Sequence, residues 1–143
     1  MAINRIGKTF DILEYVHDGT ALTASASGTV GGAAAVIDLG SGFVDAELVL
    51  DVSALDVDTG NEVVTVQIKI SDTEIATQKY TQTQFKLGDS TVNNCDVDRT
   101  TGRYLIPFNN MIETGQCLRY AHVYFLLAGT IAAFTATGYF VKK

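Results

Sequence analysis

The sequence predicts an all-β fold, an antiparallel β-sandwich of jelly-roll type with about eight strands, on three observations. Polarity alternates every second residue along several segments, and clusters of Gly, Asp, Asn and Ser separate those segments. No apolar stripe at helical spacing is sustained over about ten residues or more. A length of 143 residues is enough for one hydrophobic core, and 47% hydrophobic residues with a single Pro fit a packed chain. The expected organisation is an N-terminal arm over residues 1–9 and one sandwich domain over residues 10–143.

The candidate strands follow in chain order. Residues 10–16, 21–25 and 34–39 are short apolar stretches between turn formers. In residues 45–52, Ala46, Leu48, Leu50 and Val52 face one way, and Asp45, Glu47 and Asp51 the other. Residues 62–71 repeat this pattern, with Val64, Val66, Ile68 and Ile70 alternating with Thr65, Gln67, Lys69 and Ser71. These two segments read as a joined pair, since residues 53–61 between them are rich in turn formers. Residues 81–87 and 103–108 are further candidates, and residues 71–83 have room for a turn of helix despite their Thr-rich composition. Residues 119–127 place Ala121, Val123, Phe125 and Leu127 opposite Tyr120, His122 and Tyr124. Ala128-Gly129-Thr130 then makes a reversal, and residues 131–141 set Phe134, Ala136, Gly138 and Phe140 against Thr135, Thr137 and Tyr139, which predicts a C-terminal hairpin. A jelly roll is favoured over an immunoglobulin-type sandwich because it covers most strand edges, and because the chain has no Trp and no Cys pair at the immunoglobulin spacing.

Composition narrows the partners. The formal charge is −6, and Lys142-Lys143 is the sole basic cluster, so nucleic acid is not an expected partner. The start of the chain lacks an apolar signal core, and no apolar run approaches the ~20 residues that span a bilayer, so the expectation is no membrane and a cytosolic product. Cys95 and Cys117 have no CxxC spacing and no neighbouring His; free thiols are the expected state, with a Cys95–Cys117 disulfide left open.

The residues offer little for catalysis, and neither enzyme activity nor a cofactor is expected. His17 and His122 stand far apart in sequence, too few for the imidazole cluster of a metal-dependent jelly-roll enzyme. His122, on the polar face of its strand, reads as a surface or interface side chain. There is no Gly-x-Ser-x-Gly elbow, phosphate-binding loop or dinucleotide fingerprint. Two acidic loops, residues 56–62 and 96–102, invite comparison with calcium loops, but the first has Gly60 at its fifth place and Gln67 at its twelfth. Both read as solvated turns.

The order of segments carries a resemblance. The run Ala34-Ala-Val-Ile-Asp-Leu-Gly40, then Ala46-Glu-Leu-Val-Leu-Asp51, Thr65-Val-Gln-Ile-Lys-Ile70 and Ala133-Phe-Thr-Ala-Thr-Gly138, resembles the small jelly-roll capsid cement (decoration) proteins of tailed bacteriophages. The likeness covers roughly residues 8 to 143, in order and texture, without an invariant signature. It implies a structural virion protein on the outer capsid surface, made in the host cytoplasm, commonly a homotrimer, which bridges neighbouring major capsid subunits after the shell expands. No catalytic residue comes with it. The polar stretch over residues 71–95 and the charged start at Asn4 to Lys8 depart from the family pattern. Candidate interface residues are Tyr120, Tyr124 and Tyr139 on outward strand faces, and Arg5, Lys8 and Phe10 in the arm. The competing class is a carbohydrate- or receptor-binding β-sandwich module of a virion, weakened by the absence of Trp.

Overall fold

A two-residue period can bury one face only if something apolar lies opposite it, and here a second sheet does so. The computed structural model describes residues 15–74 and 80–142, and within them the secondary structure is strand without helix. The strands are β1 (Tyr15–Asp18), β2 (Ala26–Ser27), β3 (Thr29–Val30), β4 (Ala33–Ala34), β5 (Ile37–Asp38), β6 (Asp45–Ala54), β7 (Val63–Ser71), β8 (Tyr80–Gly88), β9 (Gly102–Asn109), β10 (Tyr120–Ala128) and β11 (Thr135–Lys142). One sheet has the order β1-β11-β6-β9 and the other β2-β10-β7-β8, with β5 also paired to β10. Every pairing is antiparallel.

Because β7 occupies one side of β10 along its whole length, β2 and β5 share the other side. They act as two pieces of one strand interrupted by the β3–β4 hairpin. Counted so, the strand positions in chain order read 1-8-3-6 in one sheet and 2-7-4-5 in the other, the double Greek key of a jelly roll. The fold class expected from the sequence is therefore present.

The core lies between the sheets. Leu48 and Leu50 of β6 and Phe140 of β11 meet Val64, Val66, Ile68 and Ile70 of β7 and Val123 and Phe125 of β10. Each such side chain contributes roughly 1.5–3 kcal/mol on leaving water. Aromatic rings fill the wider spaces, with Phe125 and Phe134 centroids 5.3 Å apart and Phe108 and Phe140 4.9 Å apart. At Gly138 the packing is tight, since a Cβ there would lie 3.2 Å from a methyl of Val16 and 3.4 Å from one of Leu50.

Strand positions match expectation better than strand partners. Segments 45–52 and 62–71 are strands, but β6 and β7 belong to opposite sheets, so residues 55–62 arch across the sandwich instead of joining neighbours. Likewise the expected C-terminal hairpin is absent: β10 pairs with β7 and β11 with β6. The physical reason is common to both. Alternation fixes which face is apolar, and two consecutive strands satisfy it equally by pairing or by facing each other across the core. Within residues 21–25 the contact is a single bridge, Leu22 to Phe134, and the strand starts at Ala26. Residues 80–83 of the segment with room for a helical turn are strand, and residues 75–79 lie outside the described residues. The arm with Arg5, Lys8 and Phe10, and the start of the 10–16 candidate, also lie outside them.

Candidate interaction surface

The outward faces of the two sheets differ in character. On the five-stranded sheet, β10 presents Tyr120, His122, Tyr124 and Leu126 opposite Ser71, Lys69, Gln67 and Thr65 of β7. Their neighbours on β8 include Thr81, Gln84 and Lys86. The side chains are linked across strands: Lys69 Nζ donates to Thr81 Oγ1 at 3.1 Å and lies 5.9 Å from the Tyr124 ring centroid. Gln67 Nε2 donates to Gln84 Oε1 at 3.3 Å. At one end Arg119 lies over Tyr120, 5.5 Å from its centroid, while both arms of its guanidinium bond Asp38 at 2.7 Å. That bond, aided by the Gly40 amide, holds the Asp38 carboxyl down at about 2. The result is a surface of phenols and amides with the Arg119–Asp38 ion pair at one end.

Tyr120 and Tyr124 are half-buried on this face, as expected of outward residues. Tyr139 is not with them. It projects from the other sheet, in a row with Tyr15, Val49 and Leu105, and is only 5% exposed. Its ring packs edge-on against Tyr15 at 5.9 Å. Its side of the sheet is the outward one expected, but alternation does not tell how far that side is covered.

His122 needs the same correction, being 1% exposed. Neither ring nitrogen has a hydrogen-bond partner among the described residues. Burial, reinforced by the nearby Lys69 ammonium, pushes its pKa down to about 4, so the ring is neutral at pH 7. His17 is buried too but fully engaged: Nε2–H donates to the Thr20 carbonyl at 2.8 Å, and Nδ1 accepts from the Thr29 amide at 3.1 Å. This fixes one neutral tautomer, and burial lowers the pKa despite the Thr20 carbonyl and Asp18 nearby.

The two cysteines are free thiols. Cys95 lies in the loop after β8 and Cys117 in the loop after β9, at opposite ends of the sandwich, so no disulfide joins them. One carboxylate of each acidic loop, Glu62 and Asp98, is turned on the backbone. The buried Glu62 accepts from the Thr59 amide at 3.0 Å and the Asn61 amide at 2.9 Å. Burial alone would raise its pKa, but these amides together hold it below the ordinary glutamate value. Asp98 accepts from the Ser90 amide at 2.8 Å, and Asp89 from Thr91. No group of three or more metal-ligating side chains gathers among the described residues. Millimolar calcium is accordingly expected to leave the thermal midpoint unchanged; a rise would mean these loops bind the ion.

Sequence reasoning missed two supports. Asn110, fully buried, accepts from the Val44 amide at 2.8 Å and donates to the Gly42 and Leu118 carbonyls at 2.8 and 2.9 Å. It ties together the loops at the Tyr120 end of the surface. Asn93 does the same for the loop after β8, donating to Gly88 and Val97. In the sequence each looks like an ordinary turn residue.

No protein-family model matches the chain, and no curated protein is similar to it.

Proposed function

We propose that this protein is a bacteriophage capsid cement protein that docks on the outer surface of an icosahedral shell and bridges neighbouring major capsid subunits. The observation that carries the reading is the outer face of the five-stranded sheet. Across it Gln67 bonds Gln84 and Lys69 bonds Thr81, and two half-buried tyrosines stand among these pairs. Phenolic rings combine apolar area with a hydrogen-bonding tip and lose little entropy on docking, which suits a protein–protein contact. Individually weak contacts become a strong attachment when a symmetric oligomer engages several subunits at once. The jelly-roll resemblance implies a trimer for that oligomer, and the virion surface as its location.

The test is attachment to expanded, undecorated shells, read by co-sedimentation. The Tyr120→Ala/Tyr124→Ala double variant should attach about tenfold more weakly or worse while keeping its thermal midpoint. Undiminished occupancy would remove this face from the interface. Absence of any attachment by the unaltered protein, together with a glycan-array signal, would favour the carbohydrate-binding alternative.

A further inference from the structure

The register of β7 and β8 slips once: Ile68 pairs with Thr83 and Lys69 with Thr81, so Gln82 is the extra residue of a β-bulge. A bulge interrupts the alternation of side chains and re-aims the unpaired one. Gln82 reaches the end of β9 in the other sheet, where its Nε2 donates to Asn109 Oδ1 at 3.0 Å and to the Met111 carbonyl at 2.8 Å. Asn109 Oδ1 also accepts from the Met111 amide at 3.0 Å.

These bonds fix how both side-chain amides are turned. The Met111 carbonyl can only accept and the Met111 amide can only donate, so the backbone itself assigns the Gln82 nitrogen and the Asn109 oxygen. Both protons of Gln82 Nε2 and both lone pairs of Asn109 Oδ1 are then used. Gln82 Oε1 and Asn109 Nδ2 are left without a hydrogen-bond partner among the described residues, and both side chains are partly open to solvent.

The two amides line a cavity of about 720 Å3 together with Tyr80, Met111, Glu113 and Thr114, among others. It lies where the β8 margin of one sheet meets the β9 margin of the other. Tyr80 and Met111 are 44% and 40% exposed, and Glu113 carries the only charge among the described lining residues. One site thus holds an open phenol ring, a thioether, a fixed acceptor, a fixed donor and a carboxylate.

We propose that this cavity is a binding site for a neutral saccharide unit. A pyranose has an apolar face of C–H groups and a rim of hydroxyls that each donate and accept. The negative face of the Tyr80 ring suits the C–H groups. Gln82 Oε1 takes a proton from one hydroxyl, Asn109 Nδ2 gives one to another, and Glu113 accepts from a third. An anionic ligand would meet the Glu113 carboxylate with no described cation in the lining to offset it. The volume falls within the range of small-ligand sites, about 300–1,000 Å3. The absence of Trp weakens a sugar-binding reading of the sequence, and here Tyr80 supplies the ring. The proposal does not depend on the capsid reading: shell attachment and glycan binding are separate measurements, and either can fail without the other.

The test is the full chain on an array of neutral and acidic glycans, then titration of isotope-labelled protein with the strongest neutral binder, read by amide NMR shifts. Binding to neutral glycans is expected, with shifts gathered at residues 80–82 and 109–114. Tyr80→Ala should weaken binding about tenfold or more with an unchanged thermal midpoint, since the ring is open to solvent. Asn109→Asp keeps the oxygen that Gln82 and Met111 bond and replaces only the free donor, and it should weaken binding by a similar factor. No bound glycan of either kind, binding of acidic glycans alone, shifts centred elsewhere, or binding that either variant leaves undiminished would each overturn the proposal. If a variant does not fold, the location of the shifts in the wild type decides alone.

Discussion

Gly88→Ala is expected to cost more than about 3 kcal/mol, lowering the thermal midpoint by about 10 °C or preventing soluble expression. Two independent faults coincide at this position. The backbone has φ of +117°, which side-chain-bearing residues rarely adopt, and a Cβ would lie 2.2 Å from the Glu62 carbonyl oxygen and 2.9 Å from the Val63 Cα. Both clashing atoms are backbone, and neither is free to retreat. The Glu62 carbonyl accepts from the Asp89 amide at 2.9 Å, its carboxylate grips the Thr59 and Asn61 amides, and Val63 pairs with Gly88 and Ala128. Gly129→Ala should behave alike, with φ of +82° and a Cβ 2.0 Å from the Asn61 carbonyl oxygen. The control is Gly115→Ala, whose φ of +83° is equally unsuited to alanine but whose Cβ would meet nothing within 4 Å. Conformational strain alone should then cost about 1 kcal/mol. Equal destabilisation of Gly88→Ala and Gly115→Ala in urea unfolding would show that the clash with Glu62 is relieved at no cost.

The second large effect is loss of stability in mild acid. The native pKa of His122 is about 4 against about 6.5 in an unfolded chain, and that of His17 is lowered as well. The unfolded state therefore binds more protons as pH falls below about 6.5, and stability declines in that direction. The contribution of a neutral His122 is complete above about pH 7. It falls through the window from 6.5 down to 4, where the loss approaches about 3 kcal/mol. His17 adds to the loss with the same sign, since a protonated ring has no acceptor for the Thr29 amide. Asp38 and Asp18, both held below the ordinary aspartate value by hydrogen bonds to their carboxylates, contribute stability lost only under more acidic conditions. Unfolding free energies measured from pH 7 to pH 4.5 should therefore slope through the histidine window, and His122→Leu should flatten the slope. A wild-type curve that stays level down to pH 4.5 would mean that both imidazoles protonate in place without penalty.

The sequence made the faces of the long strands legible and their partners illegible. Val64, Val66, Ile68 and Ile70 all point into the core, as their alternation predicts, and Ala46, Leu48, Leu50 and Val52 oppose them from the other sheet. A period of two carries no information about which strand lies alongside, so β6 with β7 and β10 with β11 resembled hairpins. The second strand position was hidden because the β3–β4 hairpin divides it into β2 and β5, each two residues long. Of the surface, Tyr120 and Tyr124 were visible from alternation alone. The dryness of His122 and Tyr139 was not, because alternation gives the side of a sheet and not its exposure. Glu62 and Asn110 were equally hidden, since a buried carboxylate or amide that ties loops together has the same local signature as a solvated turn.

The position of β11 between β1 and β6 bears on how the molecule is made. Among the described strands β1 has no in-sheet neighbour other than β11, and β6 must leave one side open for it. During synthesis β1 therefore has no partner among the described strands of its sheet until β11 has left the ribosome. The four-stranded sheet then closes by insertion of a strand into its middle, not by growth at a margin. Folding of this kind is late and non-local, and it leaves nascent edges open to neighbouring nascent chains.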